Sequence, residues 1–316
     1  MLGISQLFRW RVWPTLCLFI SSLARRISSL LPLLGQPAAA APDDVSHSEF
    51  TLFSKPAKRK KEVLSLDLLE NDYLYRIKRN TRIVYVSVLD GDIVPLDCRS
   101  DSFRILSKLR KVPRWEEEWK TLTVRNGSHG LESTPDELSP HGLDLGRLDV
   151  SSVFYNLLDL RTVSRTSDRI SRVSCDGETR ILKVAQFKYE IPYLQQEVSV
   201  YSTLTSAGFP LAPRFIGYVY EGTKDRTVGF LMEEIFGNPP DIQNLSKCVK
   251  TVRLLHTFGI VHGDPNRYNF LMTENGAKVF DFEVSVAKED VGPAAAQEEI
   301  ESLEAKLKDE SGIGKR

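Results

Sequence analysis

The stretch from Ile260 to Phe282 constrains the fold of this chain more than any other part of the sequence. Apolar residues recur at helical spacing before it, and a glycine ends that helix ahead of a short strand-like pair. Farther on, Asn275-Gly276 separates two apolar runs and predicts a tight two-residue hairpin. Asp264 and Asn269 therefore lie on a loop that is anchored at both ends, and the hairpin brings Asp281 back toward Asp264.

The polar residues of this stretch form the set that phosphoryl transfer requires. That reaction needs a carboxylate to orient the attacking hydroxyl, and oxygen ligands to hold Mg²⁺ on the phosphates. Asp264, Asn269 and Asp281 supply these groups. Turn capping is a second interpretation, since Asp, Asn and Gly cap turns routinely, but it does not explain the combined spacing. A glycosidase carboxylate pair is a third, yet it would not require Asn269.

The run Val261-His-Gly-Asp-Pro-Asn-Arg-Tyr-Asn-Phe-Leu271, with Asp281-Phe282 after it, resembles the catalytic loop and metal motif of the protein-kinase-like superfamily. The corresponding family patterns are H-R/G-D-x-x-x-x-N and D-F-G. The H-G-D form is similar to aminoglycoside-phosphotransferase-type and other atypical kinases, and to small fungal kinase-like proteins. The resemblance, which covers roughly residues 150 to 290, implies that Asp264 is the catalytic base and that Asn269 and Asp281 bind Mg²⁺.

A lysine and a glutamate upstream of this loop are predicted to pair. Lys183 lies at the centre of a strand-like run, and Glu197 shares a helical stripe with apolar residues, so its carboxylate is expected to face inward. A buried carboxylate needs a partner, and Lys183 is the natural one, although a solvated strand lysine is the alternative. The family resemblance implies that this pair positions the phosphates of ATP.

The segment from Val228 to Phe236 reads as a buried strand that runs into a turn. The resemblance implies that it is the hinge between two lobes, and that the backbone near Glu233 and Ile235 hydrogen-bonds adenine. Periodicity alone favours a plain core strand equally well.

Two departures from the family pattern bear on activity. Residues Val163 to Val173 contain no glycine, so a glycine-rich phosphate loop is absent. Glu283 stands where D-F-G has its last glycine, which removes backbone freedom and adds a charge beside the metal site. The short sequence after Glu283 predicts a reduced C-terminal lobe, closed by a helix within Ala294 to Lys308.

Charge and cysteine usage exclude some classes of function. Lys plus Arg and Asp plus Glu both number 42, so no global field attracts nucleic acid, and we expect no nucleic-acid partner. The four cysteines lie far apart and form no C-x-x-C pair, which argues against a zinc site and against a disulfide framework. A reducing, intracellular compartment is the simpler interpretation.

The first 45 residues differ from the rest of the chain. They are rich in Arg and Ser and contain no acidic residue before Asp43, as is typical of an organellar transit peptide. They also fit a membrane-associated or signal-type segment, in which residues 1–35 contact the membrane, or a disordered tail. We therefore expect a mitochondrial or membrane-associated protein, or otherwise a cytoplasmic one.

Residues 46–146 are predicted to form an accessory α+β region and linker that precedes the kinase-like domain. Asp90-Gly91 follows a strand-like run and predicts a hairpin. The segment Arg114 to Lys120 predicts a helix with Trp115 and Trp119 on a core-facing side. Residues 126–146 are rich in turn-forming residues and predict a long loop.

Together these features predict an α+β chain with a two-lobed protein-kinase-like fold, a reduced C-terminal lobe and an N-terminal extension. The kinase-like domain is expected over residues 147–316. The resemblance implies an ATP- and Mg²⁺-dependent phosphotransferase that acts on a hydroxyl of a protein or small molecule. The alternative is a catalytically weak or inactive pseudokinase that serves as a nucleotide-binding or protein-interaction module, and the missing glycine loop favours it.

Overall fold

The computed structural model describes residues 61–149 and 151–312 of the chain. These residues form one compact unit with four α-helices and two large β-sheets, which confirms the predicted α+β class. The predictions for residues 1–45 and for the beginning of the accessory region, 46–60, lie outside the described ranges. No helix within those ranges combines the length and the apolar character that crossing a membrane requires.

The first sheet has five strands, with α1 (Ser102–Leu109) packed against it. The strands are β1 (Lys61–Leu68), β2 (Tyr73–Arg79), β3 (Arg82–Val88), β4 (Thr121–Gly127) and β5 (Gly130–Pro135), in that spatial order. Neighbouring strands are antiparallel except β3 and β4, which are parallel. A parallel pair needs a crossover connection, and α1 lies within it. The helix buries Ile105, Leu106 and Leu109 in the core of this sheet.

The hairpin and the helix predicted in this region are wrong. Asp90 has φ −146° and its side chain accepts a hydrogen bond from the Asp92 amide, so it caps a short 3₁₀ turn. A two-residue hairpin of the Asp-Gly type would need positive φ there. Arg114 has φ +61°, and residues 114–120 form turns, because a left-handed residue interrupts a right-handed helix. Trp115 and Trp119 are nevertheless buried in the core, as expected.

The long loop predicted over residues 126–146 is also wrong in its first half. That half contains the turn between β4 and β5, where Gly127 pairs with Gly130. Strand β5 is an edge strand whose residues alternate between exposed and half-buried, so its sequence is too polar to show an apolar period. Residues 136–146 form no strand, in agreement with the prediction.

The second sheet has six strands in the order β6-β10-β11-β9-β8-β7 when strands are numbered along the chain. They are β6 (Phe154–Asn156), β7 (Arg161–Arg165), β8 (Ile170–Cys175), β9 (Glu178–Val184), β10 (Phe215–Tyr220) and β11 (Thr227–Glu233). Helix α2 (Ile191–Ser206) follows β9 and buries Leu194, Val198 and Tyr201 in the main core. The predicted strand around Lys183 and the predicted helix around Glu197 are therefore confirmed.

Two helices and two small two-stranded sheets complete the described chain. These elements are α3 (Leu245–Thr257), β12 (Ile260–Val261), β13 (Phe270–Thr273), β14 (Gly276–Val279), β15 (Val286–Ala287) and α4 (Lys288–Lys308). Strands β13 and β14 pair across Asn275-Gly276, as predicted. Helix α4 begins earlier than expected, is kinked at Gly292 with φ +77°, and buries Leu303 and Leu307 against the main core.

A buried carboxylate connects the two large sheets. Glu221, just after β10, accepts hydrogen bonds from Arg76 Nε of β2 at 2.9 Å and from Tyr85 Oη of β3 at 3.1 Å. Arg226 Nη2, just before β11, donates to Oε2 of the same carboxylate at 2.6 Å. Burial acts to raise the pKa of Glu221, but the two guanidinium groups outweigh it and hold that pKa below its ordinary value. The two sheets are thus joined by a buried, charged network.

Candidate active site

A cavity of about 450 Å³ lies between the second sheet and the β13–β14 hairpin. Its volume falls in the range of roughly 300–1,000 Å³ that is usual for small-molecule sites. Six of the seven residues predicted for the site line it, namely Lys183, Glu197, Glu233, Ile235, Asn269 and Asp281. Apolar side chains, including those of Ile170, Ile181, Met232 and Leu271, line it as well. The structure therefore brings together residues that are far apart in the sequence.

Lys183 is the charged centre of this cavity. Its Nζ lies 2.6 Å from Glu197 Oε2, 2.6 Å from Asp281 Oδ1 and 3.1 Å from Glu283 Oε1. The side chain is only 1% exposed, so the alternative of a solvated strand lysine is wrong. The predicted pairing with Glu197 is present, and Asp281 and Glu283 join it.

The elements around Lys183 explain why these charges meet. On β9, Leu182 and Val184 pack into a separate apolar cluster, and Lys183 alternates to the opposite face of the strand. On α2, Glu197 lies on the buried face of the helix and accepts a hydrogen bond from the Phe282 amide at 3.3 Å. The two charges are therefore fixed by the period of a strand and the period of a helix.

Three carboxylates surround one ammonium group, so the cluster carries excess negative charge. Burial raises the pKa of Glu197 to about 7, and the neighbouring Asp281 and Glu283 add to that shift while Lys183 opposes it. The carboxylate oxygens of these three acids lie within 4.8 Å of one another. A cation that reached this cluster would relieve the excess charge.

The donor set next to this cluster suits Mg²⁺. Asn269 Nδ2 donates a hydrogen bond to the backbone oxygen of Asp264 at 2.9 Å, which assigns the amide nitrogen and leaves the amide oxygen available as a ligand atom. Asn269 and Asp281 line the same cavity. Because Mg²⁺ prefers carboxylate and carbonyl oxygens, these two residues fit the ion. Asp281 also has φ +70°, a strained conformation of the kind that occurs at functional sites.

Asp264 lies beside the cavity and is the one predicted residue that does not line it. Its side chain is 50% exposed and is therefore accessible from solvent. Asn266 Nδ2 donates to Asp264 Oδ2 at 2.8 Å, and Lys306 Nζ of α4 lies 3.8 Å from Oδ1. The carboxylate is therefore held in place on both oxygens.

The backbone before Asp264 is fastened by buried groups that the sequence did not point to. Glu299 of α4 accepts hydrogen bonds from the amides of Gly263 at 2.6 Å and His262 at 3.2 Å, and contacts His256 Nε2 at 2.7 Å. His262 Nε2 lies 3.0 Å from the Phe280 oxygen. Burial lowers the pKa of His262, so its ring is neutral near pH 7. This imidazole links the loop to the β14 end of the hairpin.

The backbone hydrogen bonds distinguish between Glu233 and Ile235, the two residues whose backbone was predicted to contact adenine. The Glu233 amide donates to the Arg214 oxygen at 2.9 Å, so it is not available to an adenine ring. Within the described part of the chain, the backbone of Ile235 makes no hydrogen bond and lines the cavity. Ile235 is therefore the better candidate of the two for adenine contact.

Sequence reasoning missed Arg169, Lys306 and Glu299. Arg169 lies in the segment from Val163 to Val173, whose only notable sequence feature is its lack of glycine. Its Nη2 lies 2.8 Å from Glu283 Oε1. Glu299 shares the apolar stripe of α4 with Ala296 and Leu303. A charged residue on such a stripe indicates a buried polar contact, so the sequence does carry a signal for Glu299. Nothing in the sequence marks Lys306.

No protein-family model matches this sequence, and no curated protein is significantly similar to it. The assignment of a function therefore depends on the chemistry and geometry of the site.

Proposed function

We propose that this chain is an ATP- and Mg²⁺-dependent phosphotransferase with a two-lobed, protein-kinase-like fold, acting on a hydroxyl of a protein or small molecule. One observation carries the proposal. Lys183 is buried between Glu197 and Asp281 in the wall of a cavity of about 450 Å³, and Asn269 links that cavity to Asp264. This arrangement provides a phosphate-binding cation, two metal ligands and a base in one connected site.

The cavity is lined by both apolar and charged side chains, and ATP needs both. Ile181, Met232 and Leu271 offer apolar surface for an adenine ring, and the Ile235 backbone offers hydrogen-bonding groups. Lys183 offers its ammonium to the phosphates. Asn269 and Asp281 would hold Mg²⁺, which when bound neutralises charge on the phosphates.

Asp264 would accept the proton of the acceptor hydroxyl. As the hydroxyl oxygen forms its bond to the γ-phosphorus, the bond from that phosphorus to the β–γ bridging oxygen breaks. ADP leaves with the electron pair, and the hydroxyl proton passes to the Asp264 carboxylate. Asn266 and Lys306, which contact the two carboxylate oxygens, keep Asp264 in position for this role.

The test uses the purified full chain with Mg-ATP and a panel of protein and small-molecule hydroxyl acceptors. Mg-ATP should raise the melting temperature, and Asp264→Asn should keep that shift while losing transfer by at least about 100-fold. Asp92→Asn removes an exposed carboxylate of the first sheet and should leave both readouts unchanged. A wild-type chain that Mg-ATP does not stabilise would contradict the proposal.

A nucleotide-binding or protein-interaction module without catalysis is the second candidate. Glu283 favours it, because this extra carboxylate lies 3.1 Å from Lys183 Nζ, where a phosphate would have to compete. Stabilisation by Mg-ATP without transfer to any acceptor would support this candidate. Transfer that Asp264→Asn abolishes would exclude it.

A further inference from the structure

The β7–β8 hairpin forms part of the cavity wall and uses several of its amides within its own turn. Thr166 and Ile170 line the cavity. The amides of Thr166 and Ser167 both donate to the Ile170 oxygen, at 3.0 and 3.1 Å, and the Ile170 amide donates to Ser167 Oγ at 3.2 Å. A glycine-rich loop binds phosphates through free amides of this kind. This hairpin has committed three of them to its own turn, so a charged side chain is the stronger candidate for phosphate binding.

Arg169 is the cation that this hairpin places next to the Lys183 cluster, where Arg169 and Glu283 adjoin the cavity without lining it. Its Nε donates to the Val184 oxygen at 3.1 Å, which fixes the side chain along β9. Its Nη2 lies 2.8 Å from Glu283 Oε1, and the same oxygen lies 3.1 Å from Lys183 Nζ. Two cations on separate elements therefore converge on one carboxylate oxygen. Arg169 Nη2 and Glu283 Oε1 form an ion pair, but their geometry is not that of a hydrogen bond.

We infer that Arg169 is the phosphate-binding residue of the β7–β8 hairpin, and that Glu283 occupies the phosphate position when no ligand is bound. The assignment of the ligand to a nucleotide rests on the proposed function. A guanidinium binds phosphate through two parallel donors and is the side chain best suited to replace a set of backbone amides. Glu283 is the carboxylate that Lys183 and Arg169 share, whereas Glu197 and Asp281 contact Lys183 and Glu190 contacts Arg169.

The hairpin can stay in place while Arg169 changes partner. On the same hairpin, Arg172 Nη2 of β8 donates to Glu234 Oε2 at 3.1 Å, and both residues line the cavity. The ion pair between Arg172 and Glu234 holds the hairpin independently of Glu283. A phosphate group therefore competes only for the side chain of Arg169, and an ordered segment need not unfold.

The experiment compares three probes on the full chain by isothermal titration in the presence of Mg²⁺: ATP, adenosine and inorganic tripolyphosphate. Arg169→Ala should weaken ATP and tripolyphosphate binding by about tenfold or more and leave adenosine binding unchanged, because a charged hydrogen bond to phosphate is lost. Arg165→Ala is the matched control, since it removes the same charge from an exposed position of the same hairpin. It should change none of the three affinities by more than about twofold.

Glu283→Gln tests the same inference without removing the cation. It takes away the competing carboxylate, so tripolyphosphate and ATP should bind more tightly by about threefold or more, with adenosine unchanged. This variant decides the question if Arg169→Ala does not fold, as judged by circular dichroism. Unchanged or weaker tripolyphosphate binding by Glu283→Gln, or an equal loss for all three probes in Arg169→Ala, would overturn the inference.

The three probes separate this inference from the proposed function. If wild type binds ATP and the Arg169→Ala variant binds it equally well, Arg169 is not the phosphate-binding residue and the phosphotransferase proposal stands. If wild type binds tripolyphosphate through Arg169 but not ATP, the phosphate site stands and the nucleotide proposal fails. Wild type that binds none of the three probes overturns both.

Discussion

At the scale of single residues, the geometry at Gly263 explains why the loop that holds Asp264 has the form His-Gly-Asp. Its φ is +85°, and a Cβ atom built at this position would lie 2.5 Å from the Val284 oxygen. The neighbouring segment after Phe282 therefore passes directly over this glycine. A side chain at position 263 would disturb the backbone that holds Asp264.

Gly263→Ala should be more destabilising than Gly259→Ala. Both glycines have positive φ, at +85° and +81°, but a Cβ at Gly259 would meet nothing within 4 Å. Conformational strain alone should cost Gly259→Ala about 1 kcal/mol. Gly263→Ala adds the clash with Val284 and should cost about 3 kcal/mol. Urea unfolding measures both values, and equal losses would show that Val284 does not crowd the loop.

Lys183 should be essential to stability as well as to binding. Lys183→Met leaves Glu197, Asp281 and Glu283 without their shared cation, and uncompensated buried charge costs about 3–5 kcal/mol. The free energy of unfolding at pH 7 should fall by that amount, and stabilisation by Mg-ATP should disappear. Lys188→Met, at an exposed position, should change stability by less than about 0.5 kcal/mol. A stable Lys183→Met variant would mean that the three acids take up protons readily.

At the scale of elements, α4 supports the loop that holds Asp264. Its Glu299 accepts hydrogen bonds from two successive loop amides, those of His262 and Gly263, and pairs with His256 on α3. The helix also brings Lys306 to within 3.8 Å of Asp264. A helix late in the chain thus orients a loop that is formed earlier.

Glu299→Ala should damage transfer more than ATP binding. It leaves the buried amide of His262 and the partly buried amide of Gly263 without an acceptor, which should lower the free energy of unfolding by about 3 kcal/mol. The groups around Lys183 do not contact Glu299, so Mg-ATP should still stabilise the variant. Glu298→Ala removes an exposed neighbour on the same helix and should leave stability and transfer close to wild type. Loss of Mg-ATP stabilisation in Glu299→Ala would show that the loop and the Lys183 cluster are coupled.

The elements predicted correctly from the sequence are those specified by local patterns. The α2 stripe that contains Glu197 follows helical spacing, and Asn275-Gly276 encodes its own turn. The β4–β5 hairpin was missed because β5 is a polar edge strand that packs on one side only. Arg169 could not be predicted as a partner of Glu283, because that pairing depends on how the β7–β8 hairpin is placed over the sheet.

At the scale of the whole molecule, two apolar cores share one charged junction. The first sheet has its own core with α1, and the second sheet shares its main core with the remaining helices. The sequence predicted a linker between these parts. The structure instead joins them through Glu221, whose carboxylate binds Arg76 from one sheet and Arg226 from the other.

Glu221 should therefore govern the acid stability of the whole unit. Because the guanidinium groups outweigh burial and lower its pKa in the folded state, the folded state binds fewer protons than the unfolded state near and below pH 4.5. Its contribution to stability is fully present above the unfolded pKa of about 4.5 and is lost as the pH falls through the folded pKa. Glu221→Gln should lose about 3 kcal/mol at pH 7, since two buried guanidinium groups lose their counter-charge.

The difference in unfolding free energy between wild type and Glu221→Gln should then shrink as the pH is lowered below about 4.5, because wild type loses the same charge by protonation. Urea unfolding at a series of pH values measures this difference, followed by far-UV circular dichroism and by tryptophan fluorescence, to which Trp115 and Trp119 in the core of the first sheet contribute. The two probes should coincide in wild type and separate in Glu221→Gln if the junction makes the two cores unfold together. Glu289→Gln, at an exposed position of α4, should show neither effect. If the difference in unfolding free energy between wild type and Glu221→Gln stays constant with pH, the charge of Glu221 does not hold the junction together.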